Sequence, residues 1–175
     1  HLGVTQGGAA DWMSMAWANW LLGNSPDAAV IEITLGGLSV IARDDCTLAL
    51  AGADLAATVD GQALKPWRSF SLRKGQTLTF TQPMSGARTY LAAPAGFGAP
   101  QVLGSCSTVV REQLGGPDGF GRALAAGDEL SYGGAAQPLR ELPSRYLPEF
   151  SPKPLLDVVL GAQMGAFSGQ STFDA

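Results

Sequence analysis

The sequence predicts a mainly β domain, a closed or partly closed barrel carrying one accessory helix near its N-terminal end. Short runs with a period of two recur from Ala28 onward, whereas only one segment repeats its apolar residues at helical spacing. Glycine and proline together supply 34 of the 175 residues (23 Gly, 11 Pro), against roughly 12% in ordinary usage, and they fall between apolar runs rather than in one tract. That distribution means many turns. Strands and helices do not alternate, which removes a doubly wound sheet.

The helix is expected from Asp11 to about Leu22. Asp11 is an N-cap residue, Trp12, Met15, Ala16, Trp20 and Leu22 follow at helical spacing, and Gly23-Asn24 and then Pro26 stop the segment. Trp12, Trp17 and Trp20 are three of the four tryptophans, so the surface is apolar all round and is expected between layers or against another chain. Strands are expected over 30–34, 38–42, 47–51, 56–59, 69–72, 77–81, 87–93 and 129–132. Asp60-Gly61 reads as a tight hairpin, Lys74-Gly75 and Gly127-Asp128 as turns, and consecutive strands are expected to pair antiparallel.

Residues 94–127 are dense in Gly, Ser, Thr and charge, and a loop of that length is where function is usually carried. Residues 137–154 hold Pro138, Pro143, Pro148, Pro152 and Pro154, each restricting its own φ and the residue before it, which predicts an extended connector. A strand over 155–160 and a further element from 167 follow. The division expected is a barrel region over 1–136, the connector over 137–154 and the start of a second unit over 155–175, with the fold incomplete at both ends.

Composition excludes several classes. The net charge is −4 and Lys65, Lys74 and Lys153 are scattered, so no basic surface exists to neutralise a phosphate backbone and nucleic acid is not expected as a partner. No apolar stretch approaches the ~20 residues that cross a bilayer, so no membrane association is expected. Cys46 and Cys106 are far apart, without CxxC spacing or a visible signal peptide, which favours a reduced, cytoplasmic setting. His1 is the only histidine, so neither a Ser-His-Asp triad, a Cys-His pair nor a histidine zinc site can form inside the chain. There is no phosphate loop of the GxxxxGK[ST] type, no GxGxxG after a strand and no Met-Lys-Met setting for a biotin carrier. ATP or carboxybiotin would need another polypeptide.

Two constellations remain. Gly7-Gly8-Ala9-Ala10-Asp11 leads into the helix, where small residues let a backbone approach a ligand and free amides suit a carboxylate or phosphate, although Asp11 competes for the same amides as an ordinary cap. Gly104-Ser105-Cys106-Ser107-Thr108-Val109-Val110-Arg111-Glu112, followed by Gly115-Gly116, gathers hydroxyls, amides, a guanidinium and a carboxylate, and Arg111 is suited to grip a substrate carboxylate in two-point fashion. Surface placement of Arg111 and Glu112 and turn closure by Ser107 and Thr108 are the alternatives. Glu32, between Ile31 and Ile33, reads as a solvent-facing carboxylate on a half-buried strand, and Asp54 closes a strand either as a pocket rim or as a turn. Cys106 lacks a local base and reads as an idle or buried thiol.

Several of these segments, in order along almost the whole chain, resemble the allophanate hydrolase subunit 2 family, also called the biotin-dependent carboxyltransferase family or the family of the C-type 5-oxoprolinase subunit. The residues that carry the resemblance are His1-Leu2-Gly3-Val4, Gly7-Gly8 through Asp11, Ala18-Asn19, Leu21-Leu22-Gly23-Asn24, Glu32 to Gly37, Leu50 to Leu55, Gly86 to Ala92, Leu103-Gly104-Ser105 with Ser107-Thr108, and Gly121-Arg122-Ala123-Leu124 to Gly127-Asp128. The chain departs from the family pattern at Cys106, where Arg is common, and at Gln6 and Gly7, where proline and serine are common.

The resemblance implies a cyclophilin-like β-barrel in a cytoplasmic protein, similar to the carboxyltransferase half of urea carboxylase, that works with a homologous B-type chain and a third 5-oxoprolinase subunit. It implies ATP-driven opening of 5-oxo-L-proline to L-glutamate, the lactam oxygen being phosphorylated and the activated ring hydrolysed. ATP is then shared with or bound by a partner, and this chain is inactive alone. On that reading Arg111 anchors the substrate carboxylate, Ser107, Thr108 and nearby amides orient the lactam, and Glu112, Gly7, Gly8, Asp11 and Asp54 complete the candidate substrate-binding set. A biotin-dependent carboxyltransferase acting on urea or a related amide is one alternative. A regulatory module without turnover, using Trp12, Trp17 and Trp20 as its contact surface, is the other.

Overall fold

The computed structural model describes residue 3, residues 5–150 and, beyond them, 159, 161–162 and 164–166. Apart from Val159 and Met164–Ala166, the expectations for residues 155 onward fall outside the described residues, as do His1, Leu2 and Val4. Helix α1 (Trp12–Leu21) begins where Asp11 caps it, the carboxylate accepting the Ser14 amide at 3.0 Å. Gly23, at φ 72°, ends it in a left-handed conformation, its amide on the Trp20 carbonyl at 2.9 Å.

The apolar surface expected all round α1 is buried on one side only among the described residues. Ser14, Ala18, Asn19 and Leu21 face inward, whereas Trp12, Met13 and Trp20 are exposed. With no charged residue in the helix, the pattern singles out no unique face, and size decides instead: Ser14 and Ala18 let the helix approach the sheet closely. Asn19 can be buried because its amide donates to the carbonyls of Pro26 and Ala28 at 3.2 and 2.9 Å and its oxygen accepts from Asn24 at 2.9 Å.

The strands are β1 (Ile31–Thr34), β2 (Ser39–Ile41), β3 (Cys46–Asp54), β4 (Ala57–Val59), β5 (Gln62–Ala63), β6 (Arg68–Leu72), β7 (Thr77–Phe80) and β8 (Ser85–Ala92). They form two antiparallel four-stranded sheets, ordered β1-β8-β3-β6 and β2-β7-β4-β5. The fold is therefore mainly β with one helix, and no ladder joins the two sheets into a closed ring among the described residues. The expectation that consecutive strands pair holds only for β4 and β5, which Asp60 (φ 47°) and Gly61 (φ 81°) join as a two-residue hairpin. Elsewhere the turns carry the chain from one sheet to the other. The Lys74-Gly75 turn, for example, links β6 in the first sheet to β7 in the second.

The strand expected over 129–132 is not formed. Asp128 does close a turn onto Ala125, but Tyr132 then makes a single bridge to Phe97, whose surroundings from Gly96 to Pro100 are too rich in glycine and proline to extend a ladder.

The sheets face each other across one core. Ile31, Ile33, Leu48, Leu50, Phe70, Leu72 and Leu91 from the first sheet meet Ala57, Leu78 and Phe80 from the second. The opposite face of the first sheet carries Ala49, Ala51, Tyr90 and Ala92, and Ala18, Leu21 and Leu22 of α1 pack on it. The layer order is helix, sheet, sheet. The connector expected over 137–154 is not extended throughout its described residues, since Ser144–Tyr146 form a 3-10 turn, and residues 140–142 lie against the assembly: the Ser69 amide donates to the Arg140 carbonyl at 2.8 Å, the Leu142 amide to the Trp67 carbonyl at 2.9 Å, and Leu142 is buried beside α1.

Candidate substrate pocket

After β8 the chain makes a succession of tight turns that the sequence shows only as a glycine-rich stretch. Val102 pairs with Ser105, Val109 with Leu114 and Gly115 with Phe120. Gly115 sits at φ 67°, and a Cβ there would stand 2.0 Å from the Ser107 carbonyl oxygen, so no side chain fits where the second turn folds back on the first. Arg122 fastens the far end by gripping Asp128 with both terminal nitrogens, at 2.8 and 3.2 Å, and reaching Asp118 at 3.3 Å. That guanidinium is the main cause of the lowered Asp128 pKa, and Asp118 is lowered first by the Phe120 amide and then by Arg122.

The two sequence constellations come together here. A Cβ on Gly7 would lie 2.5 Å from Val109 Cγ2 and 3.5 Å from Ser107 Cβ, and one on Gly8 would lie 3.8 Å from Ser107 Oγ. Between the segments is a pocket of about 180 Å³, lined by Gly7, Ser105 and Ser107 and by the apolar Val102, Val109 and Leu114. Ser105 Oγ accepts the Ser107 amide at 3.1 Å and donates to Ser107 Oγ at 3.0 Å. The Ser107 hydroxyl thus accepts within the loop, and its own proton is left to donate to a ligand oxygen. No carboxylate, cysteine, lysine or arginine is among the described residues lining this pocket, so it can bind and orient a small neutral group but offers no proton-transfer residue of its own.

Cys106 points to the other side of the same segment. Its sulfur lies 3.6 Å from the Ala99 carbonyl, and it borders a more open pocket of about 590 Å³ with Phe97, Gln101, Ser131 and Tyr132. The thiol of Cys46, by contrast, is pushed up by burial.

The remaining predicted residues fall into four places. Asp11 caps α1, while Thr108 lines neither pocket and instead packs on Gly116. Arg111 and Glu112 occupy the tip of the 109–114 turn, where Arg111 is 84% exposed and its Nε is 3.8 Å from the Glu112 carboxylate. One Glu112 oxygen is buried without a hydrogen-bond donor among the described residues. Asp54 lines neither pocket: at the irregular end of β3 it accepts the Ala56 amide at 3.0 Å and Lys65 Nζ at 3.0 Å.

Sequence reasoning missed Glu32, whose side chain is only 32% exposed. Its Oε2 accepts the Ala10 amide at 2.9 Å and the Tyr90 hydroxyl at 2.8 Å, and its Oε1 accepts Arg88 Nε at 3.2 Å. The Tyr90 oxygen in turn accepts the Asp11 amide at 2.7 Å. Burial above all, with hydrogen bonding to Glu32 and the Glu32 and Asp11 charges adding to it, raises the Tyr90 pKa, so this phenol stays protonated through the neutral range. Alternation does place Glu32 opposite Ile31 and Ile33, but the helix start lies over that face.

Comparison with known proteins gives a consistent assignment. Residues 2–174 match the family described as carboxyltransferase domain, subdomain A and B. The C-type 5-oxoprolinase subunit of Escherichia coli is 40% identical over 131 residues, 75% of this chain and 42% of that protein. The urea amidolyase of Saccharomyces cerevisiae is 34% identical over 130 residues, 74% of this chain and 7% of that protein. The solved structure of Kluyveromyces lactis urea carboxylase superposes with a TM-score of 0.75 at 27% identity, covering 85% of this chain and 14% of that one. The chain spans less than half the length of each of these relatives.

Proposed function

This chain belongs to the carboxyltransferase domain, subdomain A and B family, and from that premise we propose that it forms the substrate-side part of an ATP-dependent 5-oxoprolinase, opening 5-oxo-L-proline to L-glutamate in the cytoplasm together with a homologous B-type chain and a third subunit. The observation that carries this reading is the pocket of about 180 Å³ between Gly7 and Ser107, which is small, largely apolar and fitted with a hydroxyl able to donate to a lactam oxygen. The 40% identity to the E. coli 5-oxoprolinase subunit supports the choice of substrate.

The assignment of roles follows from position. Ser107 donates to the lactam oxygen, where negative charge grows as the ring is activated. Arg111, extended from the 109–114 turn whose two ends line the pocket, closes on the substrate carboxylate when the ligand arrives. Neither described pocket is lined by a lysine or arginine to hold a triphosphate, which supports placing ATP on a partner chain. With no titratable group in the small pocket, the proton-transfer residue is also assigned to the partner.

The test is glutamate formation from 5-oxo-L-proline and ATP by the complete protein reconstituted with its partner subunits. Arg111→Ala should raise KM by about tenfold or more, the loss of one charge-assisted carboxylate contact. Unchanged kinetics would remove Arg111 from the site, and no turnover by the wild-type complex would remove the reading. A second reading, a biotin-dependent carboxyltransferase acting on urea or a related amide, draws on the likeness to K. lactis urea carboxylase. Urea-dependent carboxyl transfer without 5-oxo-L-proline turnover would select it.

A further inference from the structure

The wall of the pocket that Gly7 supplies belongs to a segment without regular structure, held by the packing of Ala9 on the core under α1 and by few hydrogen bonds. Among the described residues, 5–10 lie in no strand or helix and take part in no backbone-to-backbone hydrogen bond. Two hydrogen bonds tie the segment to the fold just before α1 begins, the Ala10 amide on Glu32 at 2.9 Å and the Asp11 amide on the Tyr90 hydroxyl at 2.7 Å, beside the packing of Ala9. We propose that Glu32 and Tyr90 are positioning residues for the pocket, holding the start of α1 so that Gly7 and Gly8 stand against Ser107 and Val109 at the distance a ligand requires.

The geometry of the pair is suited to that task. Tyr90 is fully buried in the central part of the first sheet, paired with Ala51 on one side and Glu32 on the other, so its hydroxyl is fixed by strands rather than by a loop. Its one oxygen links both halves, donating to Glu32 and accepting from Asp11. The Glu32 carboxylate accepts three hydrogen bonds, one of them from Arg88, which fix its orientation. Gly7 is three residues from Ala10, about 10 Å of chain at full stretch. Releasing Ala10 and Asp11 would therefore give Gly7 several ångströms of freedom, more than the roughly 1 Å misplacement that costs a bound reactant about a hundredfold.

This rests on the pocket being where the substrate binds, and the experiment separates the two ideas. Tyr90→Phe keeps the ring and its packing and removes only the linking oxygen. Glu32→Gln keeps an acceptor for Ala10. Ile33→Val, on the opposite face of β1, serves as a control that trims the core without touching the segment. In the complete protein, the order parameters that ¹⁵N relaxation gives for Gly7 and Gly8 should fall from about 0.85 to below about 0.6 in Tyr90→Phe, less far in Glu32→Gln, and not at all in Ile33→Val. In the reconstituted complex, Tyr90→Phe should raise KM for 5-oxo-L-proline about tenfold or more with kcat within about threefold.

Unchanged order parameters at Gly7 and Gly8 in both network variants, or equal changes in Ile33→Val, would overturn the proposal, as would an unchanged KM in a complex that turns over. A wild-type complex that does not turn over 5-oxo-L-proline defeats the proposed function instead, and the relaxation measurement still decides whether Glu32 and Tyr90 position the segment. Should Tyr90→Phe fail to fold, Glu32→Ala, which removes both acceptor oxygens, gives the decision on the same measurement.

Discussion

Adding a single methyl at Gly7 tests whether the pocket depends on the fit between the segment before α1 and the 105–109 turn. The new Cβ would stand 2.5 Å from Val109 Cγ2, more than 1 Å inside the roughly 3.5–4.0 Å at which two carbons rest. Overpacking of that size costs about 1–3 kcal/mol where nothing can yield. Here Thr5, Gln6 and Gly8 are exposed, so the segment moves outward and the loss of stability should stay near about 1 kcal/mol, roughly 2–4 °C in Tm. Binding should not be so forgiving: a wall displaced by about 1 Å predicts ligand affinity lower by about 10- to 100-fold. Gly7→Ala/Val109→Ala removes the conflicting methyl, and calorimetric titration of 5-oxo-L-proline into the complete protein with its partners should show affinity within about threefold of Val109→Ala alone. Gly8→Ala gives the opposite signature, because its Cβ has room at 3.8 Å from Ser107 Oγ while its φ of 117° is unfavourable for a side chain. Its cost, about 1–3 kcal/mol, should appear in stability. Strictly additive effects of the Gly7 and Val109 substitutions would refute the reasoning.

Other substitutions probe the frame around the pocket. Leu142 is buried against Trp67 and α1, so Leu142→Ala should lower the free energy of unfolding by about 2–5 kcal/mol in urea titrations, and a loss under about 1 kcal/mol would show that residues 140–142 are not part of the cooperative unit. Asp118 and Asp128 have lowered pKa values, so their contribution is present above about pH 4, the unfolded value, and is lost as pH falls through the lower folded values. Thermal unfolding from about pH 6 to 2.5 should therefore show a steeper loss below about pH 4 in wild type than in Arg122→Gln, and identical profiles would exclude the Arg122 clamp as the cause. Because burial raises the Cys46 thiol, its alkylation by iodoacetamide near pH 8 should be slower than that of a short peptide thiol, which peptide mapping of the labelled protein can read, and an equal or faster rate would refute the assignment.

Much of the fold could be read from local pattern. Asp11 and Gly23 bound α1 because capping is a property of a few neighbouring residues, and Asp60-Gly61 closes its hairpin for the same reason. What local pattern could not supply was partnership. β1 pairs with β8 across more than 50 residues, β3 lies between β6 and β8, and nothing within a five-residue strand encodes those choices. Which side of α1 turns inward was not legible for a related reason. The inward face of α1 was chosen by how closely Ser14 and Ala18 let it approach Ala49 and Ala51, a property of the pair of surfaces.

The same distinction explains the site. Gly7 and Ser107 each stood out in the sequence, but that they share a pocket follows only from the path of the chain between them, and Asp54, singled out on similar grounds, is occupied with Lys65 and Ala56. Glu32 is the instructive case. Alternation gave its exposed side of the strand correctly; what it could not give is the helix start that lies over part of that face. A carboxylate there does what a neutral residue cannot: it accepts from a backbone amide, a phenol and a guanidinium at once, and so converts the rigidity of the sheet into the position of a segment that has no secondary structure of its own. Among the described residues the small pocket has no acid or base, so what they contribute there is position, which makes the residues that fix its wall as consequential as those that line it.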